Sequence, residues 1–154
     1  MFRVLTVSLL SIVFASANDR ILGGSELDIH KVPYQASLLY QGQHDCGGVI
    51  ISDHVILTAA HCIEGSLRFL FKIRVGSHFL NDGVFLKVRL EFNENIRPID
   101  LASALPLSGT NCLVSGWGST ENSINSWKLL GGRVQLMYRE ECVKFYGIHK
   151  ISIL

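Results

Sequence analysis

The residues best suited to chemistry in this sequence are a histidine and two cysteines that stand close together in the chain. His61 and Cys62 follow an apolar run of β-forming residues, 49–57. Cys46 stands before that run, so that 15 residues separate the two cysteines. If the cysteines pair, the crosslink is worth about 3 kcal/mol by the chain-entropy estimate, and it would hold the histidine at the end of its strand.

A zinc site is the competing interpretation of the same residues. Its four ligands would be His44, Cys46, His61 and Cys62. Adjacent residues such as His61 and Cys62 make a poor pair of ligands, and the spacing matches no common zinc pattern. We therefore expect no bound metal and no cofactor. The remaining histidines lack such a context and are expected to lie at the surface: His30, His44, His54, His78 and His149.

The first 17 residues read as a secretory signal peptide. One positive charge in residues 1–3 precedes an apolar run of 11 residues, Val4 to Phe14, and Ala15-Ser16-Ala17 has the pattern of a cleavage site. A membrane anchor would need about 20 apolar residues. We therefore expect a secreted, extracellular protein. In an oxidising compartment its four cysteines are candidates for disulfides: Cys46, Cys62, Cys112 and Cys142.

Composition and patterning predict a globular protein built from β-strands. The sequence is 48% apolar and 18% charged with a net charge of +1, and it has no basic stripe for nucleic acid. We expect neither nucleic acid nor membrane as a partner. Apolar and polar residues alternate in 67–75, 84–90 and 133–138, which is typical of antiparallel sheets with one buried face. Only Arg139 to Tyr146 looks like a short helix.

Several motifs occur in an order that points to a known family. Thr58-Ala59-Ala60-His61-Cys62 lies between Arg20-Ile21-Leu22-Gly23-Gly24 and Cys112-Leu113-Val114-Ser115-Gly116-Trp117-Gly118. In this order they resemble the histidine motif, the activation site and a second-barrel strand of the chymotrypsin/trypsin family of serine proteases. The resemblance implies a trypsin-like double antiparallel β-barrel. The barrel pair would be incomplete, with most of barrel one and the opening strands of barrel two.

The resemblance also assigns roles to residues. It makes His61 the catalytic base and implies a disulfide between Cys46 and Cys62. It places activation cleavage between Arg20 and Ile21, with 18–20 as a short propeptide and 21–154 as a partial protease domain. In the family the partners of Cys112 and Cys142 would lie beyond Leu154, so their pairing stays open.

The sequence does not supply the other catalytic groups of such an enzyme. Asp82 stands in a hairpin-turn signal. Asp100 follows residues 92–99, which resemble the family's linker after the catalytic aspartate, and the family does not carry its catalytic acid in that linker. The string Gly-Asp-Ser-Gly-Gly is absent from the sequence, and 93 residues follow His61, against about 138 from histidine to serine in the template. We therefore expect a truncated sequence with an internal gap, inactive as it stands.

Two functions from different classes are consistent with these features. The first is a secreted trypsin-like serine endopeptidase, made as a zymogen, which in its full-length form would act on proteins or peptides. A trypsin-like protease would be its activator, because Arg20 is basic. The second is a non-catalytic homologue of such proteases that serves as a secreted binding or decoy module.

Overall fold

The computed structural model describes residues 3–6, 24–120 and 125–146, in which β-strands predominate. The strands are β1 (Arg3–Thr6), β2 (Ser25–Glu26), β3 (Gln35–Tyr40), β4 (Gln43–Ser52), β5 (Val55–Thr58), β6 (Phe71–Val75), β7 (Val84–Phe85), β8 (Asn111–Gly116) and β9 (Leu130–Gln135). The helix α1 spans Arg139–Tyr146, as the sequence predicts. Turns of 3-10 helix cover Ile29–Lys31, Ala60–Cys62 and Arg68–Leu70. Among the described residues, no helix combines the length and the apolar character needed to cross a bilayer.

The first sheet has the strand order β1-β5-β4-β3-β6-β7. Its strands pair antiparallel except for β1, which runs parallel to β5. Gln41 and Gly42 join β3 to β4 with φ angles of 52° and 87°, the left-handed conformation that a tight hairpin turn requires. One face buries a cluster of Ala36, Leu38, Ile50, Ile56, Ile73, Val75, Leu86, Leu90 and Ile96.

Strand β1 belongs to the segment that the sequence predicts as a signal peptide. In the structure, Arg3 lies opposite Val55, and the register continues to Thr6 opposite Thr58. The outer edge of β5 would otherwise present unpaired backbone groups, and an extended segment satisfies them by adding a strand. The predicted cleavage sites after Ala17 and after Arg20 lie outside the described residues.

The second sheet has the strand order β2-β9-β8. Strand β2 comes early in the chain, so its pairing with β9 ties the start of the domain to this later sheet. Leu27, Trp117 and Leu129 lie in a second buried cluster, which also contains Ile29, Val32 and Leu80. Polar contacts join the two sheets as well, since the Ser115 hydroxyl donates to Gln35 Oε1 at 2.7 Å.

Neither sheet closes into a barrel within the described residues. In the second sheet, the side chains of Leu113, Val114 and Val134 remain 41–46% exposed. Apolar residues in a strand normally face a core, and these three face solvent. The all-β prediction is confirmed, and the open second sheet agrees with an incomplete double barrel.

The prediction of a strand with alternating buried and exposed residues over 84–90 is wrong. Only Val84–Phe85 forms a strand, and the buried residues are Leu86 and Leu90, whereas Val88 is 69% exposed. The Leu86 amide still donates to Ile73 O of β6 at 2.9 Å, and the chain then leaves the sheet edge, where the Leu90 amide donates to Asp53 O at 2.7 Å. Val88 is therefore exposed between two buried leucines, because the chain no longer extends along β6 after Leu86.

The prediction of a strand with alternating buried and exposed residues over 67–75 is correct for only part of that segment. The strand begins at Phe71, after the 3-10 turn Arg68–Leu70. Ile73 and Val75 are buried as predicted, but Phe69 is 79% exposed. The turn rotates Phe69 out of the register that the strand sets, so its side chain points to solvent.

Candidate functional site

The histidine turn is positioned by the hairpin of β4 and β5. Ile50 and Ile56 face each other in this hairpin and are almost fully buried. Gly48 lies beneath them, where an added Cβ would come within 2.8 Å of both Ile56 Cγ2 and Leu38 Cδ1. The absence of a side chain at Gly48 therefore leaves room for Leu38 of β3 and Ile56 of β5, two residues along β4 from Cys46.

Hydrogen bonds fix the end of β5, just before His61 in the chain. The buried Thr58 hydroxyl donates to Gly47 O at 2.8 Å. The chain then enters the 3-10 turn Ala60–Cys62, where the Cys62 amide donates to Ala59 O at 3.1 Å. The backbone on both sides of His61 is thereby held in place.

The disulfide expected from the resemblance is present. Cys46 and Cys62 are joined, with their Cα atoms 6.1 Å apart. Cys62 is buried, whereas His61 is exposed. The crosslink thus anchors the turn to β4 while the imidazole lies at the surface, where a second reacting group could approach it.

The zinc interpretation is only partly reproduced. The side-chain ligand atoms of Cys46, His61 and Cys62 lie within 4.8 Å of one another. In the disulfide, however, neither sulfur is a thiolate, which is the form that binds metals. The fourth expected ligand, His44, is engaged elsewhere, because its Nδ1 shares a 2.8 Å hydrogen bond with Ser37 Oγ.

The pairing of Ser37 with His44 was missed in the sequence. Ser37 is 2% exposed, and burial lowers the pKa of His44, although the charge of Asp45 opposes this effect. The His44 ring also contacts Trp117 edge-on, with 6.1 Å between ring centroids. A serine that breaks the apolar run of β3 is the signal that could have indicated a buried partner.

The two aspartates considered as orienting acids are both exposed. Asp82 accepts a hydrogen bond from Ser77 Oγ at 3.3 Å. It also lines a cleft of about 490 Å³ with Asp28, His30 and His78, and the lining of that cleft does not include His61. Asp100 lies in the irregular chain between β7 and β8.

The expectation of surface histidines is wrong for His44, His54 and His78, which are all half-buried. His78 is half-buried, its Nδ1 bonds Leu27 O at 2.8 Å, and its backbone carbonyl accepts from Trp117 Nε1 at 3.1 Å. It therefore joins the two sheets. His30 is exposed as expected, and its hydrogen bond to Asp28 raises its pKa. His54 is half-buried and pairs with Asp53, whereas His149 lies outside the described residues.

The other two cysteines stand apart from the histidine turn. Cys112 and Cys142 are free thiols, each half-buried. The expected activation site, Arg20 and Ile21, lies outside the described residues. The structure therefore brings together His61, Cys46 and Cys62 from the predicted site.

The sequence of this chain matches a protein-family model and is similar to known proteins of that family. The family model described as Trypsin matches residues 21–84 and 68–152. Trypsin iota of Drosophila melanogaster is 34% identical over 152 residues, which cover 82% of this chain and 60% of that protein. Trypsin delta of Drosophila erecta is 35% identical over 135 residues, which cover 71% of this chain and 53% of that protein. The chain thus spans about half to three fifths of the length of these relatives.

Solved structures are similar over most of the chain. A scabies mite inactivated protease paralogue, S-D1, has a TM-score of 0.76 and 26% identity, covering 82% of this chain and 66% of that one. Neuropsin, a serine protease expressed in the limbic system of mouse brain, has a TM-score of 0.71 and 25% identity, with coverages of 86% and 71%. The predicted incomplete trypsin-like fold is confirmed by these likenesses.

Proposed function

The chain belongs to the trypsin family of serine proteases, and on that basis we propose that it carries the histidine part of a secreted trypsin-like serine endopeptidase. His61 is the general base of that enzyme. The observation that carries the proposal is the exposed His61, fixed by the Cys46–Cys62 disulfide at the end of β5.

The chemistry explains why the histidine must be held so firmly. Peptide-bond hydrolysis by this class needs an imidazole that takes the proton of a serine hydroxyl and later returns it to the leaving amine. The imidazole must reach the hydroxyl at hydrogen-bonding distance, so small displacements are costly. The disulfide and the Thr58–Gly47 bond support His61 by fixing the backbone on both sides. The substrates are proteins or peptides.

We propose that these 154 residues on their own do not hydrolyse peptide bonds. Their sequence contains no Gly-Asp-Ser-Gly-Gly motif. Ser115, the serine before Gly116-Trp117-Gly118, donates its hydroxyl to Gln35 and is a structural group. A base has no proton to take when the nucleophile is missing.

Labelling with a serine-directed fluorophosphonate tests this proposal. We expect no stoichiometric labelling of the 154-residue chain and no cleavage of an arginine-containing peptide. Labelling at one equivalent would overturn the claim. Nucleotide sequence beyond the codon for Leu154 gives a second test, since a reading frame that runs into a Gly-Asp-Ser-Gly-Gly segment supports the endopeptidase.

Maturation forms a separate part of the proposal. The signal peptide is removed after Ala17, and a trypsin-like protease then cuts between Arg20 and Ile21. Expression in secretory cells tests both steps: the protein in the medium should begin at Asn18, and after trypsin treatment at Ile21. Retention in the cell or a different terminus would contradict this scheme.

One observation favours a second candidate, a non-catalytic homologue that acts as a secreted binding or decoy module. A solved structure similar to this chain, with a TM-score of 0.76, is that of an inactivated protease paralogue. The two candidates predict different coding sequences beyond the codon for Leu154. A downstream frame with both barrels but a substituted serine would favour the homologue.

A further inference from the structure

We propose that the β6–β7 hairpin binds an acidic peptide segment that carries an aromatic side chain among its carboxylates. The binding surface, which we call the cationic face, consists of Lys72 and Arg74 of β6 and Phe85 of β7. In the first sheet, the strands β4, β3 and β6 lie between β7 and β5, the strand that leads to His61. This binding therefore goes beyond the proposed proteolytic function and does not depend on His61.

Two positive side chains of β6 converge on one aromatic ring of β7. Arg74 lies opposite Phe85 in the register, and its guanidinium carbon is 4.7 Å from the centroid of the Phe85 ring. The Nζ of Lys72 lies 5.8 Å from the same centroid. Side chains two positions apart in a strand point to the same face of the sheet. The hairpin thus presents two cations and a ring together.

Within the part of the chain that the structure describes, neither Lys72 nor Arg74 forms an ion pair. Residues 66–90 hold five of the chain's 14 lysines and arginines and one of its 13 acidic residues, Asp82. The Asp82 carboxylate accepts a hydrogen bond from Ser77 instead. Like charges held side by side repel each other, so a ligand carboxylate placed beside both cations is favoured electrostatically.

The guanidinium of Arg74 is held in position before any ligand arrives. Its Nη1 donates to Leu80 O at 2.9 Å, and the Phe85 ring lies against it. A guanidinium carries several N–H donors in a rigid fork that matches a carboxylate, so the remaining donors can bind one. A side chain that is already fixed loses less conformational entropy on binding, which favours association.

The exposed ring determines which class of anion fits. Phe85 is 41% exposed, and contact with an aromatic side chain of a ligand would remove this apolar surface from water. A sulfated polysaccharide offers the negative charge without such a side chain, whereas an acidic peptide can offer both. Lys87, also exposed, stands two residues beyond Phe85 and adds positive charge to the same stretch of chain.

Fluorescence anisotropy with labelled pentapeptides tests the proposal on the full chain. The probes are Glu-Glu-Phe-Glu-Glu, Glu-Glu-Ala-Glu-Glu and Lys-Lys-Phe-Lys-Lys. We expect the first to bind most tightly, the second more weakly because it lacks the ring, and the third not at all. Raising the ionic strength from about 0.05 M to about 0.5 M should weaken binding of the first peptide, because salt screens exposed charges.

Matched variants locate the binding surface. Lys72→Glu should weaken binding of Glu-Glu-Phe-Glu-Glu at least about 5-fold, because a repulsive charge replaces an attractive one. Lys144→Glu, at an exposed lysine of α1, changes the net charge by the same amount and should leave the affinity nearly unchanged. Phe85→Ala should abolish the preference for the phenylalanine peptide over the alanine peptide.

Three outcomes would overturn the proposal. The first is equal affinity of the parent chain for the phenylalanine and alanine peptides, and the second is equal affinity of Lys72→Glu and the parent for the phenylalanine peptide. The third is binding of a heparin oligosaccharide without binding of either acidic peptide, which would assign the cationic face to a polysaccharide. These measurements do not involve His61, so their failure would leave the proteolytic proposal unchanged.

Discussion

The Ser37 hydroxyl oxygen and His44 Nδ1 lie 2.8 Å apart and join β3 to β4 beside the disulfide. A shift in the register between Leu38 and Leu39 allows this contact, because His44 pairs with Leu39 while Cys46 pairs with Leu38. The bond satisfies two polar groups in a hairpin that also holds Cys46.

Ser37→Ala should destabilise the fold by about 1 kcal/mol, because it removes the hydrogen bond of the half-buried His44 ring nitrogen. Urea unfolding of the two proteins measures the difference. Ser103→Ala, at an exposed serine, is the matched control and should change little. Equal midpoints for Ser37→Ala and the parent would show that the hydrogen bond contributes nothing.

Stability should fall as the pH drops below the ordinary histidine pKa of 6.5, because burial lowers the pKa of His44 in the folded state. The unfolded chain then binds the proton more readily than the folded chain, so protonation favours unfolding. Urea unfolding from about pH 8 to about pH 5 measures the slope. His44→Asn should flatten it.

His30 gives an opposite trend that the same experiment can separate. The hydrogen bond to Asp28 raises the pKa of His30 in the folded state. The stability that His30 contributes is therefore present below its pKa in the unfolded chain, and it is lost as the pH rises through its raised pKa in the folded chain. His30→Ala should therefore steepen the fall of stability toward low pH. A flatter profile in that variant would contradict the assignment.

Replacing both Cys46 and Cys62 by serine should cost about 3 kcal/mol, the entropy of a loop of this length. The two cysteines are 16 positions apart. Thermal unfolding measures the loss, and limited proteolysis should cut near His61 sooner. Cys112→Ser, at a free thiol, is the control and should leave the unfolding temperature nearly unchanged.

Gly48→Ala should destabilise the protein by about 1–3 kcal/mol through overpacking. The added methyl group would lie 2.8 Å from both Ile56 and Leu38, in the core of the first sheet. Gly116→Ala is the matched control, since nothing lies within 4 Å of its added Cβ and its strand conformation suits alanine. If both variants unfold alike, the core around Gly48 has room for a methyl group.

The apolar side chains exposed on the second sheet should make the chain self-associate, because exposed apolar strands promote aggregation. Leu113→Glu should reduce association, since Leu113 is 46% exposed and lies opposite Arg133 in the neighbouring strand. Sedimentation velocity over a range of concentrations measures this. Leu101→Glu, on an exposed leucine outside the strands, should have a smaller effect.

The sequence by itself determined the features that depend on local pattern or covalent order. The strand-rich composition, the β-forming run that precedes His61 and the helix Arg139–Tyr146 can be read from neighbouring residues, because periodicity acts over short distances. That this run divides into the hairpin of β4 and β5 is known only from the structure. Membership of the trypsin family also came from motif order. The roles of His61, Arg20 and Ile21 remain predictions.

Only the tertiary structure decided which of those residues meet and which are covered. Val88 is exposed although the alternation placed it with the buried Leu86 and Leu90, because the chain leaves the sheet after Leu86. Burial and hydrogen bonding depend on partners distant in sequence, as with His78, which is held by Leu27. The same holds for His61, because its place near two sulfurs results from a turn and a crosslink that periodicity alone does not specify.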